Sequence, residues 1–227
     1  MLSAKSFVDV YIDNLKNLKK YETDISTAKT ILLKSNNFSN DYFKNIVPIF
    51  YPKNTHFSEF VFRDAFINNF GWSLPTKNII DTIISFCQKS IVLEVGAGLG
   101  LISKLIIESG IQLITTDSYE EYKDDTVRFM DIIKMDCVNA IDHYPQAQCL
   151  MLVWPKADVA DNSIKKFKGN KIIYIGEDAG GCCAGQTFFD ELEKRWTCKV
   201  LDMTTWPGMH DKLYLFTKIK TLSCTLV

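Results

Sequence analysis

Residues 91–100 read IVLEVGAGLG, an apolar run that holds one acid, Glu94, and then breaks into Gly96, Gly98 and Gly100 with Ala97 and Leu99 between them. Glycines at such a strand-to-helix junction let a ligand approach the backbone closely. The helix N-terminus that follows can hold a phosphate or a carboxylate. The spacing is G-x-G-x-G. The dinucleotide fingerprint G-x-G-x-x-G needs a glycine where Leu101 stands, and no Lys-Ser or Lys-Thr follows to make a phosphate-binding loop. An acid inside an apolar strand is costly without a partner, so Glu94 calls for one.

Further acids fall at the ends of apolar runs. Asp117 closes LITTD, residues 113–117, and a carboxylate there can accept both hydroxyls of a ribose, whichever nucleoside-bearing cofactor carries it. Asp136 and Cys137 lie in KMDCV, which also reads as a simple turn. The run CLMLVWP ends in Trp154, Pro155 and Lys156, where the indole either stacks on a planar substrate or cofactor edge or closes the top of a core. Glu177 follows KIIYIG and precedes a glycine-rich loop with Gly180, Gly181 and Gly185; it is the candidate general base or acceptor for a substrate amine. His210 and Asp211 sit in TWPGMHD, residues 205–211, either as acid–base or substrate contacts or as a turn with a local Asx hydrogen bond.

The elements that must position these groups alternate. Strands are expected at 91–95, 111–116, near 131–135, 148–153, 171–176, 198–202 and 212–218, and helices at 77–89, 99–109, 119–127, 158–167 and 186–196. Strand–helix alternation at this spacing predicts an α/β three-layer sandwich: a seven-stranded, mostly parallel sheet between helices. The last two strands have no helix between them, so the last is expected to be antiparallel. Residues 1–46 read as helical, with DISTAKTILLK (24–34) as a separate helix capped by Asp24 or Ser26; Ile49–Lys53 reads as a connector and 57–70 as a helix with an aromatic stripe. Two units are therefore expected: a helical extension or cap over 1–73 and an α/β domain over 74–227.

Composition narrows the partners. The 227 residues are 47% hydrophobic and carry 26 basic and 27 acidic side chains, so no global charge steers the chain to nucleic acid or to an anionic membrane. The basic clusters LKNLKK (15–20) and IKKFKG (164–169) read as solvated faces and leave nucleic acid open as a substrate, with a small molecule or protein favoured. No apolar run reaches membrane-spanning length, and the N-terminus has neither the apolar stretch nor the cleavage site of a signal peptide. Seven cysteines occur without a CxxC pair, which suits reduced thiols in the cytoplasm; no metal site is expected.

IVLEVGAGLG with Asp117 and Asp136 resembles the first motifs of the class I, Rossmann-like S-adenosylmethionine-dependent methyltransferases. The resemblance implies that the glycine loop, Gly96 to Gly100 with Ala97, wraps the methionine part of S-adenosyl-L-methionine. It further implies that Glu94 meets the cofactor amine, that Asp117 takes the ribose, and that Asp136 and Cys137 take the adenine. The Asn- or Asp-Pro-Pro segment of many amino-methylating members is replaced by Trp154-Pro155-Lys156, which removes the usual acceptor for a target nitrogen. GWSLPT (71–76), LVWP, YIGEDAGGC and WPG-x-HD are similar to a group of methyltransferase-like proteins from microbes and fungi, over about residues 70–220. That likeness implies a site of Trp72, Pro75, Trp154, Glu177, Cys182, His210 and Asp211, with Trp72 and Pro75 on the cofactor side. Leu101 and Ile102 depart from it, standing where many members carry an aromatic pair.

Two other readings stay open. One is a binding or scaffold protein that keeps the fold without turnover. The other is an NAD-dependent oxidoreductase, against which stand Leu101 and the absence of a Tyr-x-x-x-Lys pair; Ser163-Ile164-Lys165-Lys166 is no equivalent.

Overall fold

The computed structural model describes residues 7–47, 58–122, 125–206 and 208–219, and side chains within these except at 7–18, 21 and 58–62. The expected connector at Ile49–Lys53, part of the LKNLKK cluster, Pro207 and Cys224 therefore lie outside the described residues or side chains.

Helix α1 spans Phe7–Leu33, and α2 spans Phe38–Asp41 and continues as a π-helical turn over Tyr42–Ile46. Helices α3 (Ser58–Phe70) and α4 (Lys77–Cys87) lead into β1 (Val92–Val95). There follow α5 (Leu101–Ile107), β2 (Leu113–Asp117), β3 (Ile133–Lys134), α6 (Cys137–His143) and β4 (Cys149–Val153). The chain continues through α7 (Ala157–Lys166), β5 (Lys171–Gly176), α8 (Gln186–Glu193), β6 (Trp196–Asp202) and β7 (Lys212–Lys218). The seven strands form one sheet in the order β3-β2-β1-β4-β5-β7-β6. All pairings from β3 to β5 are parallel, and β7 runs antiparallel to both β5 and β6. The antiparallel last strand is thus inserted next to the edge, and β6 forms the edge.

Period-two alternation divides the strands between two cores. Cys149 and Met151 of β4, Ile173 and Ile175 of β5, and Leu213 and Leu215 of β7 face a core shared with α1 to α5. Leu150, Leu152, Ile172, Tyr174, Tyr214 and Phe216 face a second core with α6, α7 and α8. Helix α4 shows why such a segment folds locally. Ile79, Ile80, Ile83 and Cys87 recur at helical spacing and are buried, while Lys77 pairs with Asp81 one turn away at 2.6 Å on the exposed side.

The helices before residue 74 share the first core with the sheet. Phe66 packs on Trp206 at 5.4 Å, and Phe38 and Phe70 both pack on Phe129 at 5.5 Å between ring centroids.

Three local expectations need correction. The two N-terminal helices expected on either side of Asp24 are one continuous helix, α1. No helix forms among the described residues of 119–127. There Asp117 turns the chain by accepting the Tyr119 N–H at 2.7 Å, and the Arg128 guanidinium lies 3.7 Å from the centre of the Tyr119 ring while donating to the carbonyls of Tyr122 and Thr126. Helix α6 was not expected; it starts at Asp136, whose carboxylate accepts the N–H groups of Val138 and Asn139, both at 2.9 Å.

Candidate functional site

A cleft opens at the carboxyl ends of β1, β2 and β4, where an open α/β sheet places its ligands. The loop after β1 forms its floor. Gly96 adopts φ +72° with open space where a side chain would begin, so a ligand has room directly on the backbone. Gly100, at φ +75°, is needed for a different reason: a Cβ there would come within 3.0 Å of Ile132 and 3.2 Å of Met130. Asp117 fastens the loop by accepting the Gly98 N–H at 2.8 Å on one oxygen and the Tyr119 N–H on the other. Each oxygen keeps a lone pair for a further donor.

Glu94 lies under this loop, 2% exposed, and accepts a hydrogen bond from the Ser103 hydroxyl. Burial, with a smaller contribution from the Asp117 charge, pushes its carboxyl up to about 8. Among the described residues no cationic side chain pairs with it. One wall of the cleft is Phe70–Ser73, from the end of α3 toward α4, and the Ser73 hydroxyl there is buried without a hydrogen-bond partner among the described residues. At the mouth, Lys156 reaches Glu121 at 3.3 Å and Glu120 at 3.8 Å, and the Tyr122 ring lies over Gly98.

The other side of the cleft is aromatic. Trp154 follows β4 with φ 49°, a left-handed backbone uncommon outside glycine. Its indole stacks on Trp72 at 5.2 Å and 21°, and its Nε1–H donates to Asp211 at 2.8 Å. Asp211 is 4% exposed and its second oxygen has no partner among the described residues. Burial pushes its carboxyl up to about 6, against the Trp154 hydrogen bond and with the nearby Glu177 charge adding to the rise.

Glu177 lies outside the cleft lining. One oxygen accepts the Cys182 N–H at 2.9 Å and the other the His210 N–H at 3.0 Å, with His210 Nδ1 at 3.6 Å. Burial works to raise this carboxyl, but the two backbone N–H groups and His210 prevail and hold it below the ordinary range. The His210 ring is itself exposed.

The structure thus brings Glu94, Gly96, Ala97, Gly98, Asp117, Trp72 and Trp154 into one cleft, with Gly100 supporting the loop from beneath. Glu177, Cys182, His210 and Asp211 gather in a second cluster that meets the cleft through Trp154. Pro75 is buried beside the Phe70–Ser73 wall, outside the lining. Asp136 and Cys137 lie outside it as well, and both Asp136 oxygens are engaged by Val138 and Asn139 at the start of α6. Lys156 lines the cleft with Trp154 and Pro155, at the end of β4. Ser73, Tyr122, Glu120 and Glu121 were not anticipated as cleft residues. Among the described residues, no group of three or more His, Cys, Asp and Glu could hold a metal, and no helix is long and apolar enough to cross a membrane.

A glycine loop after β1, an acid ending β2 and the order β3-β2-β1-β4-β5-β7-β6 with β7 reversed now stand together. This is the Rossmann-like methyltransferase fold. No family model matches the chain, and no curated protein matches it. Solved structures with the methyltransferase fold do. A SAM-dependent methyltransferase from Archaeoglobus fulgidus is 13% identical with a TM-score of 0.47, over 63% of this chain and 92% of its own. Magnesium protoporphyrin IX methyltransferase from Synechocystis, with bound SAM, is 9% identical with a TM-score of 0.43, over 85% and 97%. An rRNA methylase from Streptococcus thermophilus is 10% identical with a TM-score of 0.39, over 65% and 98%.

Proposed function

We propose that the chain is an S-adenosyl-L-methionine-dependent methyltransferase. The observation that carries this reading is Glu94, a buried carboxyl with no cationic partner among the described residues, set beneath a glycine loop that leaves room for a ligand. An ammonium group arriving there would supply the missing charge. Gly96 to Gly98 would lie along the methionine part, Asp117 would accept from the ribose hydroxyls, and the unpartnered Ser73 hydroxyl would reach the amino-acid end. The adenine end is the least provided for, since Asp136 is spent on α6.

When bound, the cofactor supplies an electrophilic methyl group on a sulfonium. The residues of the chain orient the acceptor, exclude water and handle its proton. Glu177 is held ionised, with both oxygens engaged, so it serves as a brace. Asp211 accepts the Trp154 indole N–H and fixes that ring at the cleft. The acceptor in this reading is a small molecule or a protein group, since acids outnumber bases at the cleft and would repel a polyphosphate. A cytoplasmic setting belongs to the same reading, because Cys182 and Cys198 carry exposed free thiols.

Calorimetry with S-adenosylhomocysteine and with NADH tests the proposal. S-adenosylhomocysteine should bind, and Glu94→Ala and Asp117→Ala should each weaken it by about tenfold to a hundredfold, the loss of a hydrogen bond to a charged group. NADH binding without S-adenosylhomocysteine binding would overturn it. One observation favours a second reading, a fold that binds without turnover: Glu177, the acid expected from the sequence to be the base, is fully used in structure. Cofactor binding with no methylated product from any cell extract would select that reading.

A further inference from the structure

We propose that the cleft takes its methyl acceptor as a flat ring, uncharged or cationic, stacked on Trp154 in the place that Trp72 occupies. The inference rests on the methyltransferase reading for the word acceptor; the ring site itself rests on four features of the molecule.

The first is the effort spent on fixing one indole. Trp154 holds a left-handed backbone, φ 49°, and its Nε1–H is tied to a carboxylate that is 4% exposed. Strained backbone of this kind and a buried acid with one unpartnered oxygen are both unfavourable, and such features persist where a site needs them. An indole that only plugged the core would need neither.

The second feature is the partner on that indole. Trp72 lies nearly parallel to Trp154 at 5.2 Å yet is 42% exposed, on a short segment between α3 and α4 with glycine before it. One ring is anchored and the other sits on it from the solvent side. A planar ligand that replaced Trp72 would keep the stacking contact while Trp72 moved out into water.

The third feature is position. Both tryptophans line the same cleft as Gly96, Gly98 and Glu94, so a ring on Trp154 would lie beside the floor where a cofactor would rest. The fourth is charge. Among the described residues Asp117, Glu120 and Glu121 line the cleft against one cation, Lys156, which already pairs with Glu120 and Glu121. An electron-rich indole face and an acidic surround favour a cationic or neutral ring and disfavour an anionic one.

Four probes separate these requirements: N-methylquinolinium (flat and cationic), quinoline (flat and neutral), naphthalenesulfonate (flat and anionic) and cyclohexylammonium (cationic but not flat). Each is titrated into the full chain while the indole N–H signals of its four tryptophans are followed by NMR, assigned with single Trp→Phe variants. N-methylquinolinium and quinoline should shift the Trp154 and Trp72 signals and leave Trp196 and Trp206 in place. The other two probes should bind at least about tenfold more weakly. Trp72→Ala, a change at an exposed side chain, should tighten quinoline binding several-fold because it vacates the place the ring takes. Trp154→Phe should weaken it about tenfold.

Equal binding of all four probes, no response at Trp154, or weaker quinoline binding by Trp72→Ala would each overturn the proposal. The last outcome remains decisive even if Trp154→Phe fails to fold. S-adenosylhomocysteine is titrated in the same samples. If it binds and the rings do not, the ring site falls and the methyltransferase reading stands. If the rings bind and it does not, the methyltransferase reading falls and the ring site stands.

Discussion

Glu94 is where the chain's chemistry and its stability meet. Its carboxyl is pushed up to about 8 in the folded protein, whereas an unfolded glutamate titrates near 4.3. The usual sign for a carboxylate is therefore reversed. The folded state holds a proton that the unfolded state gives up, so stability falls as pH rises from the unfolded value to the folded one. Asp211, at about 6, contributes the same sign at lower pH, which leaves Glu94 dominant from about pH 6 to pH 8. Across that window the unliganded protein should lose on the order of 2 kcal/mol in denaturant titrations, and Glu94→Gln should flatten the slope. Saturating S-adenosylhomocysteine should flatten it as well, because an ammonium beside Glu94 favours the ionised form. A slope unchanged in Glu94→Gln would show that the folded carboxyl titrates normally. Residue type and spacing announced Glu94, Asp117 and the glycines, because an acid in an apolar strand and a glycine triplet are anomalies visible in one dimension. Ser73 was not legible in this way. A serine between Trp72 and Leu74 is ordinary, and only the fold shows that its hydroxyl is buried without a partner at the cleft wall.

At the scale of elements, the loop after β5 and the turn before β7 are joined by one carboxylate. Glu177 accepts N–H groups from Cys182 and His210, and Gly181 passes so close that a Cβ there would meet Glu177 Cβ at 2.5 Å and Oε2 at 2.7 Å. The glycine-rich stretch read from the sequence as a compliant loop is glycine-bearing at this position because the chain packs onto the acid. Glu177→Gln replaces one acceptor oxygen with an amide donor and should cost about 1.5–3 kcal/mol, the worth of a hydrogen bond to a charged group. Hydrogen exchange should speed up at the amides of Cys182 and His210, while exchange at β1 is unchanged. A general base would behave otherwise: its glutamine variant would lose turnover with both amides still protected. The helix expected at 119–127 fails for a related reason. Tyr119 adopts a left-handed backbone, φ 65°, which a right-handed helix cannot include, and Arg128 takes the carbonyls of Tyr122 and Thr126. Asp136 was legible as an acid at the right place, but its short spacing to Val138 and Asn139 makes it a helix cap, a competition that sequence position cannot resolve.

For the molecule as a whole, the question is whether the helices before residue 74 are an appendage or part of one folding unit. The composition change near Leu74 marks a boundary between a helical extension and the α/β layers, and local pattern reads nothing across it. Aromatic side chains pack across that boundary. Phe66, fully buried, stacks on Phe70 at 5.1 Å and meets Trp206 of the turn before β7 at 5.4 Å, and Phe70 lies on Phe129 of the segment before β3. Phe70 to Ser73 then become a wall of the cleft, so the same aromatic contacts that hold α3 in place also complete the ligand site. Phe66→Ala should therefore cost about 3–5 kcal/mol, the range for removing a buried phenylalanine. The loss should appear as an earlier single transition in which far-UV circular dichroism and tryptophan emission move together. S-adenosylhomocysteine affinity should fall in the variant even under conditions where it remains folded, because the wall that carries Ser73 and Trp72 loses its support. Two separated transitions, with the sheet's signal unmoved and affinity intact, would show that the N-terminal helices fold and act apart from the α/β layers.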